Sequence, residues 1–149
     1  MRNLWKSLSM FACLVLAGAP GCTSMTVRPV ESRNEMQSAC ILENPKVQVS
    51  DFLPVLRDGL SRQKIRSYLY SDSPPPDCDV IISYTALRSW GLTPYLSHAE
   101  IRVERDGMQV GYGEFHLLGK GGYSLYEWQS TKTKMDPVID QLFEAHATQ

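Results

Sequence analysis

The chain has 149 residues, of which 43% are hydrophobic and 21% charged, and its formal net charge at pH 7 is −1. This length suits one domain with a single hydrophobic core, and the near-neutral charge excludes the basic excess that is typical of nucleic-acid-binding domains. No apolar run reaches the roughly 20 residues that a membrane-spanning helix needs.

The N-terminal segment has the arrangement of charged and apolar regions that is typical of a bacterial secretory signal. Arg2 and Lys6 precede an apolar stretch over residues 8–19, which gives a charged region followed by a hydrophobic region. Two cleavage sites compete at its end. Residues 17–19 have the small side chains of an ordinary signal-peptidase site, but Pro20 would then follow the scissile bond. Because proline lacks an N–H and has a rigid ring, it fits an extended cleft poorly.

The competing cleavage site lies between Gly21 and Cys22. Residues 19–22 resemble the bacterial lipobox, in which small residues precede a cysteine that receives diacylglycerol, although Ala19 and Pro20 depart from its usual residues. The resemblance implies a signal peptide over 1–21 and a mature chain held in a membrane by acyl chains, palmitate among them, on Cys22. Thr23 in place of aspartate implies release to the outer membrane, facing the periplasm.

Residues 22–38 are polar and have no sustained periodicity, which predicts a flexible tether and leaves 39–149 as one domain. Loss of the signal lowers the Lys and Arg count from 15 to 13 against 16 Asp and Glu, a net charge of −3.

Two cysteines remain once Cys13 leaves with the signal and Cys22 is acylated. These are Cys40 and Cys78, and in an oxidising compartment two such cysteines are expected to form a disulfide. The alternative is a reactive thiol, but no histidine lies near either cysteine in the sequence.

The domain opens with a pattern of strand, helix and strand. Residues 39–42 are apolar and end at a turn, and apolar residues at helical spacing then predict a helix over about 51–62. A strand is predicted over 65–70. Residues 79–87 have the richest β-branched and aromatic content in the chain and predict a central strand.

A β-hairpin is predicted around Asp106-Gly107, since apolar and polar residues alternate over 97–108 and this dipeptide favours a type I′ turn. The register that follows pairs Arg105 with Met108, Val103 with Val110 and Ile101 with Tyr112. It also places Glu114 opposite Ala99 on the core side, which requires a bulge, a partner or a strand end; we favour the bulge.

A further strand over 123–129 and a final helix complete the pattern. Asp136 is the predicted N-cap of this helix, with Pro137 at its first position. The predicted fold class is α+β, a single mixed, mainly antiparallel sheet of five or six strands with two helices packed on one face.

No catalytic or metal-binding motif is present in the sequence. His98, His116 and His146 are the only histidines, and none lies in a known metal or nucleophile motif. His98 and His116 fall in the paired strands and are expected near each other, as surface histidines. We therefore predict no catalytic residue, no metal, no cofactor and no enzyme activity.

The candidate binding residues are aromatic and basic. Trp90, Tyr95 and Trp128 would stack on a sugar or anchor a protein partner, or would instead cap the core beneath a turn. The basic candidates, which would face lipid headgroups, are Lys120, Lys132 and Lys134.

Several short segments together resemble a family of small proteobacterial lipoproteins of unknown function. They are Cys40-Ile41, Cys78, Tyr84-Thr85-Ala86, Trp90, Tyr95-Leu96, Gly113-Glu114-Phe115-His116, and Trp128 with Thr131 and Lys134. The resemblance covers most of the mature chain. It implies export and paired cysteines, and it implies no activity.

The sequence therefore predicts a membrane-anchored envelope lipoprotein that acts as a non-enzymatic accessory and binds another envelope protein. The alternatives are a glycan- or lipid-binding module and an envelope hydrolase. The hydrolase would need His98 or His116 beside a serine or a carboxylate.

Overall fold

The computed structural model of the protein describes residues 23–31, 36–118 and 127–144. The elements in chain order are β1 (Thr23–Arg28), β2 (Ser38–Leu42), α1 (Phe52–Arg62), β3 (Arg66–Tyr70), β4 (Val80–Trp90), β5 (Pro94–Arg105), β6 (Met108–Leu117) and α2 (Thr131–Leu142). Within the described ranges the strands form one six-stranded sheet of order β1-β6-β5-β4-β2-β3. Strand β2 is parallel to β3 and β4, and the other pairs are antiparallel.

Both helices pack on the same face of the sheet. Tyr84, Ile101 and Gly113 lie directly opposite one another across β4, β5 and β6 and so share a face. Phe52 of α1 stacks on Tyr84 with ring centroids 5.4 Å apart, and Val138 of α2 lies over Gly113. The predicted fold class is confirmed.

The β5–β6 hairpin has the predicted turn but not the predicted register. Asp106 and Gly107 have φ angles of 52° and 74°, as a type I′ turn requires, and Arg105 pairs with Met108. A bulge then leaves Val110 without an opposite residue, because Glu104 pairs with Gln109 while Val103 pairs with Gly111.

The bulge moves every later residue of β6 by one position. The predicted pairings of Val103 with Val110 and of Ile101 with Tyr112 are therefore wrong. Glu114 lies opposite Glu100 rather than Ala99, so its carboxylate points away from the core. The favoured bulge is confirmed, and it resolves the conflict of a carboxylate on the apolar face.

The N-cap of helix α2 lies six residues before the predicted cap. Ser130 is the N-cap, and its Oγ accepts a hydrogen bond from the Thr133 N–H at 3.1 Å. Pro137 lies inside the helix. An internal proline costs about 3 kcal/mol, and the packing of Met135 and Ile139, both fully buried, offsets that cost. Asp136 is not a cap, since it lies inside the helix, where its carboxylate forms ion pairs with Lys132 and Arg62.

The predicted tether is wrong for its first residues. Thr23–Arg28 forms β1 and pairs with β6 along its whole length, and Val30 is buried with its N–H donating to the Leu142 carbonyl at 2.9 Å. An exposed edge strand buries few side chains, so its sequence shows little periodicity. The folded sheet therefore includes Thr23–Arg28.

A disulfide joins Cys40 of β2 to Cys78, which precedes β4, with Cα atoms 6.0 Å apart. The signal peptide over 1–21, Cys22, Lys120 and His146 lie outside the described residues. Of the predicted strand over 123–129, only 127–129 are described, and they form a turn. No helix among the described residues has the length and apolar content to cross a membrane.

Candidate functional site

The turn between β4 and β5 meets the segment before α2 at one end of the sheet. Arg88 and Tyr95, from the strand ends beside this turn, line a pocket of about 340 Å³ there together with Glu127 and Trp128. We call this surface, with Trp90, Leu92, Tyr95 and Trp128, the aromatic end. The structure thus brings the three predicted aromatic residues to the same end of the molecule.

Large apolar side chains at the aromatic end are open to solvent. Leu92 is 84% exposed, Trp90 69% and Trp128 59%. The Arg88 guanidinium lies over the Trp90 ring, 5.0 Å from its centroid. Tyr95 differs, because its ring is half-buried against the core. The two interpretations of the aromatics therefore apply to different residues: Tyr95 caps the core, while Trp90 and Trp128 face outward.

Lys134 does not contribute to a basic surface. It is 3% exposed, its Nζ donates to the Leu96 carbonyl at 3.0 Å, and it lies 5.3 Å from the centre of the Tyr95 ring. Burial lowers the pKa of Lys134, and the negative charge of Glu127 opposes this shift. Lys134 ties α2 to β5 at the aromatic end.

Lys132 is bound in an ion-pair network between the helices. Its Nζ contacts Asp58 and lies 3.1 Å from an Asp136 oxygen. Arg62 joins the same network through Asp58, Asp136 and Asp140 at 2.7 to 3.0 Å. The hydrogen bond from Lys132 lowers the pKa of Asp58. These contacts and the burial of Lys134 contradict the predicted cationic patch at both lysines.

A second group of polar side chains lies on the sheet face opposite the helices. His98 and Glu100 of β5 lie directly opposite His116 and Glu114 of β6; we call these four residues the polar strand cluster. The Nδ1 atoms of the two imidazoles are 3.2 Å apart. The expected proximity of the histidines is confirmed. The cluster as a whole was not predicted, because only the bulge brings Glu114 to this face.

Arg102 and Tyr112 hold the two carboxylates of the polar strand cluster. Arg102 Nη2 donates to Glu100 Oε2 at 2.6 Å, and the Tyr112 hydroxyl donates to Glu114 Oε2 at 3.1 Å. Burial and the hydrogen bond to Glu114 raise the pKa of Tyr112, so its hydroxyl keeps its proton. The carboxylates that the hydrolase hypothesis requires are present, but among the described residues no serine hydroxyl bonds to either imidazole.

A groove of about 860 Å³ also runs between α1 and the edge strand β3. Its lining includes Arg57, Asp58, Lys64 and Tyr68. The Arg57 Nε donates to the Ser67 hydroxyl at 3.2 Å across it. The sequence has no local signal for this groove, since it arises only when α1 packs beside β3.

The chain is thus a small α+β domain whose sheet carries an aromatic end and a polar face. No protein-family model and no curated protein matches it. Among solved structures, a PelC dodecamer from Paraburkholderia phytofirmans is similar at a TM-score of 0.50 and 12% identity, over 82% of this chain and 96% of that one.

Two further structures are similar at lower scores. A PDZ domain protein from Parabacteroides distasonis has a TM-score of 0.43 and 10% identity, over 83% of this chain and 37% of that one. A minor lipoprotein from Acinetobacter baumannii has a TM-score of 0.37 and 12% identity, over 73% of this chain and 91% of that one. At these identities the PelC comparison supports the fold alone.

Proposed function

We propose that this protein is a lipid-anchored, non-catalytic accessory of the bacterial envelope that binds another envelope protein through its aromatic end. The observation that carries the proposal is the exposure of Trp90, Leu92 and Trp128 at one end of the sheet, where Trp128 also lines a pocket. Tryptophan and arginine dominate the energetics of protein interfaces, and Arg88 already stacks on Trp90. The anchor is acylated Cys22, in the outer membrane on its periplasmic side.

The position of β1 supports an orientation in which the aromatic end lies near the proposed anchor. Ser24, His116, His98 and Leu87 form one row across four strands, and Leu87 is three residues, about 10 Å along a strand, from Trp90. A lipid on Cys22 therefore holds the aromatic end towards the membrane. The partner is accordingly a protein embedded in, or bound to, the same membrane.

Charge favours a protein over the lipid surface itself. Asp51 and Glu127 line the pocket together with the cation Arg88, so these three side chains carry a net negative charge that repels anionic headgroups. Lys132 and Lys134, which would offset that repulsion, are held in contacts within the protein. A protein partner can instead place a basic group opposite these carboxylates.

A photoreactive amino acid at position 92 of the full-length chain, in the native membrane, tests the proposal. Met108 provides the matched control, since it is 66% exposed and lies at the opposite end of β5. We expect a protein adduct from position 92 and none from position 108. Trp90→Ala with Trp128→Ala should abolish it without changing the melting temperature.

Three outcomes would overturn the assignment of the partner. Equal adducts from both positions would show that the aromatic end has no special role. Adducts to lipid alone would make the membrane its ligand. An adduct of twice the chain's mass would make a second copy the partner, the kind of assembly that the PelC dodecamer forms.

The anchor itself is tested by labelling with radioactive palmitate. Cys22→Ser should lose the label, whereas Cys13→Ser, which changes the other N-terminal cysteine, should keep it. Label that persists in Cys22→Ser would place the acyl chains elsewhere and remove the basis for the membrane orientation.

The pocket favours a glycan as a second candidate ligand, since Tyr95 and Trp128 line it together with the polar groups of Arg88 and Glu127. Aromatic faces with convergent polar groups are typical of sugar sites. Soluble cell-wall fragments should then raise the melting temperature of the wild type and leave that of Trp128→Ala unchanged. The exposed aliphatic side chains of Leu87 and Leu92 fit a protein interface better.

A further inference from the structure

We propose that the polar strand cluster, His98, Glu100, Glu114 and His116, binds a divalent transition-metal ion of the Zn²⁺ class. One ligand atom each from His98, Glu100 and Glu114 lies within 4.8 Å of the other two. These side chains belong to two long, paired strands. The site is therefore held by the sheet rather than by a loop.

Two separations between donor atoms of the cluster lie near those around a zinc ion. Two donors at 2.0–2.2 Å from a tetrahedral ion are about 3.3–3.6 Å apart. Nδ1 of His98 lies 3.2 Å from Nδ1 of His116 and 3.9 Å from Oε1 of Glu114. His98 and Glu114 already belong to the group whose ligand atoms lie within 4.8 Å of one another, and a rotation of the exposed His116 side chain would add its Nδ1 to the same ion.

The fourth member of the cluster positions a ligand. Nε2 of His98 lies 3.3 Å from Oε1 of Glu100, so Nε2–H can donate to that carboxylate while Nδ1 binds the ion. A histidine ligand in proteins usually donates its other N–H to a carboxylate or a carbonyl, which fixes its tautomer and orientation. Glu100 is itself held by Arg102 at 2.6 Å.

The hydrogen bond from Tyr112 prepares Glu114 for the same role. The Tyr112 hydroxyl donates to Oε2 of Glu114, which leaves Oε1, the atom nearer to His98, as the free donor. Oε2 of Glu100 and Oε2 of Glu114 thus each accept a hydrogen bond. Oε1 of each carboxylate faces the His98 imidazole.

Electrostatics supplies a reason for a cation at this place. Glu100 and Glu114 lie directly opposite each other, an arrangement of like charges that destabilises a sheet. Arg102 offsets one of the two charges, and a divalent cation would offset the other. Imidazole nitrogen with carboxylate oxygen suits Zn²⁺ and its neighbours, whereas Mg²⁺ and Ca²⁺ favour sites built from oxygen alone.

Titration of the protein with the metal tests this site. Full-length protein, purified from membranes in detergent without a histidine tag and treated with a chelator, is titrated with Zn²⁺ by calorimetry and with Co²⁺ by visible absorption. We expect one ion per chain, tetrahedral Co²⁺ bands, and a rise in melting temperature of about 3 °C or more at saturating Zn²⁺.

Near-isosteric variants make the test specific. His98→Gln and Glu114→Gln should each weaken Zn²⁺ binding at least about tenfold, and Tyr112→Phe should weaken it less while the Co²⁺ bands remain. Glu43→Gln is the control, because Glu43 is an exposed carboxylate that accepts a hydrogen bond from Ser71 away from the cluster. Circular dichroism and melting without metal establish that each variant folds.

The proposal is overturned if the folded wild-type protein binds neither ion. It is equally overturned if His98→Gln and Glu114→Gln, both folded, bind Zn²⁺ as tightly as Glu43→Gln does.

Discussion

Lys134 is a buried cation whose side chain makes one hydrogen bond within the described part of the chain, from Nζ to the carbonyl of Leu96. A lysine in such a place loses hydration that a single carbonyl and the face of Tyr95 replace only in part. Burial accordingly lowers its pKa from the usual 10.5. The residue joins α2 to β5 beneath the aromatic end, and its charge makes the stability of that junction depend on pH.

The direction in which stability changes with pH follows from the number of protons bound by the folded and the unfolded chain. Between the lowered pKa of Lys134 and 10.5, the unfolded chain holds a proton that the folded chain has released. The free energy of unfolding therefore rises with pH across that window. Lys134→Met should flatten the rise, as measured by urea unfolding at neutral pH and just below pH 10.

Two features of the chain provide the controls for Lys134. Tyr70 and Tyr112 have pKa values raised above the usual 10.0, so their effect on stability has the opposite sign and begins only at higher pH. Lys132→Met should leave the rise intact, because ion pairing raises the pKa of Lys132. An unchanged slope in Lys134→Met would show that this lysine keeps its proton in the folded state.

Two glycines explain, at the scale of elements, why β6 adopts its bulged register. A Cβ on Gly111 would lie 2.7 Å from Val30 Cγ2, and one on Gly113 would lie 2.8 Å from Val138 Cγ1. The bulge turns both glycines towards α2. The predicted register would have placed Val110 and Tyr112 there instead, where the helix leaves no room for them.

Helix–helix packing depends on a glycine in the same way. A Cβ on Gly59 of α1 would lie 2.5 Å from Ile139 Cγ2 of α2. Gly59→Ala should lower the free energy of unfolding by about 1–3 kcal/mol through overpacking, even though alanine favours helix by up to about 1 kcal/mol. Denaturant unfolding measures the change.

Two comparisons separate this clash from a general effect on α1. Ser61→Ala, at an exposed position of the same helix, should change the free energy of unfolding by no more than about 0.5 kcal/mol. In an Ile139→Ala background the cost of Gly59→Ala should shrink, because the clashing methyl is gone. Equal costs in both backgrounds would assign the effect to α1 alone.

The elements that the sequence predicts well are those with strong local patterns. Helix α1, β4 and the Asp106-Gly107 turn follow from apolar spacing, β-branched content and turn chemistry. The elements that it predicts badly are fixed by tertiary contacts. The true start of α2 at Thr131, after the N-cap Ser130, depends on the burial of Met135 and Ile139 against other elements.

The candidate site residues also differ in whether local sequence or tertiary structure identifies them. Aromatic residues such as Trp90 and Trp128 are evident in the sequence because their residue type alone marks them. The pairing of Glu100 with Glu114 requires the bulge at Val110. The one signal of this bulge in the sequence is that the unbulged register places Glu114 opposite Ala99 on the core side.

The disulfide is the constraint that acts on the whole chain. It spans 38 positions and joins β2 to the segment before β4. Closing a loop of this length in the unfolded chain is worth about 2–4 kcal/mol, so Cys40→Ala with Cys78→Ala should lower the free energy of unfolding by that amount. Mass spectrometry with and without reductant checks the bond, and two free thiols in the mature protein would refute it.

The early start of β1 leads to a prediction about the proposed membrane anchor. Thr23, the first residue of β1, directly follows Cys22, so the proposed anchor leaves almost no spacer below the aromatic end. A flexible insert of about 16 residues between them would separate lipid and sheet by about 22 Å on average. The photo-crosslink from position 92 to a membrane protein should then weaken strongly.

The same insert at another position tests whether the crosslink weakens because of the longer spacer or because an insert disturbs the fold. In the turn at Asp106-Gly107, at the far end of the hairpin from the aromatic end, it should leave the crosslink unchanged. If the insert after Cys22 also leaves it unchanged, the partner reaches the aromatic end from the periplasm. The membrane anchor would then determine the location of the domain but not its binding partner.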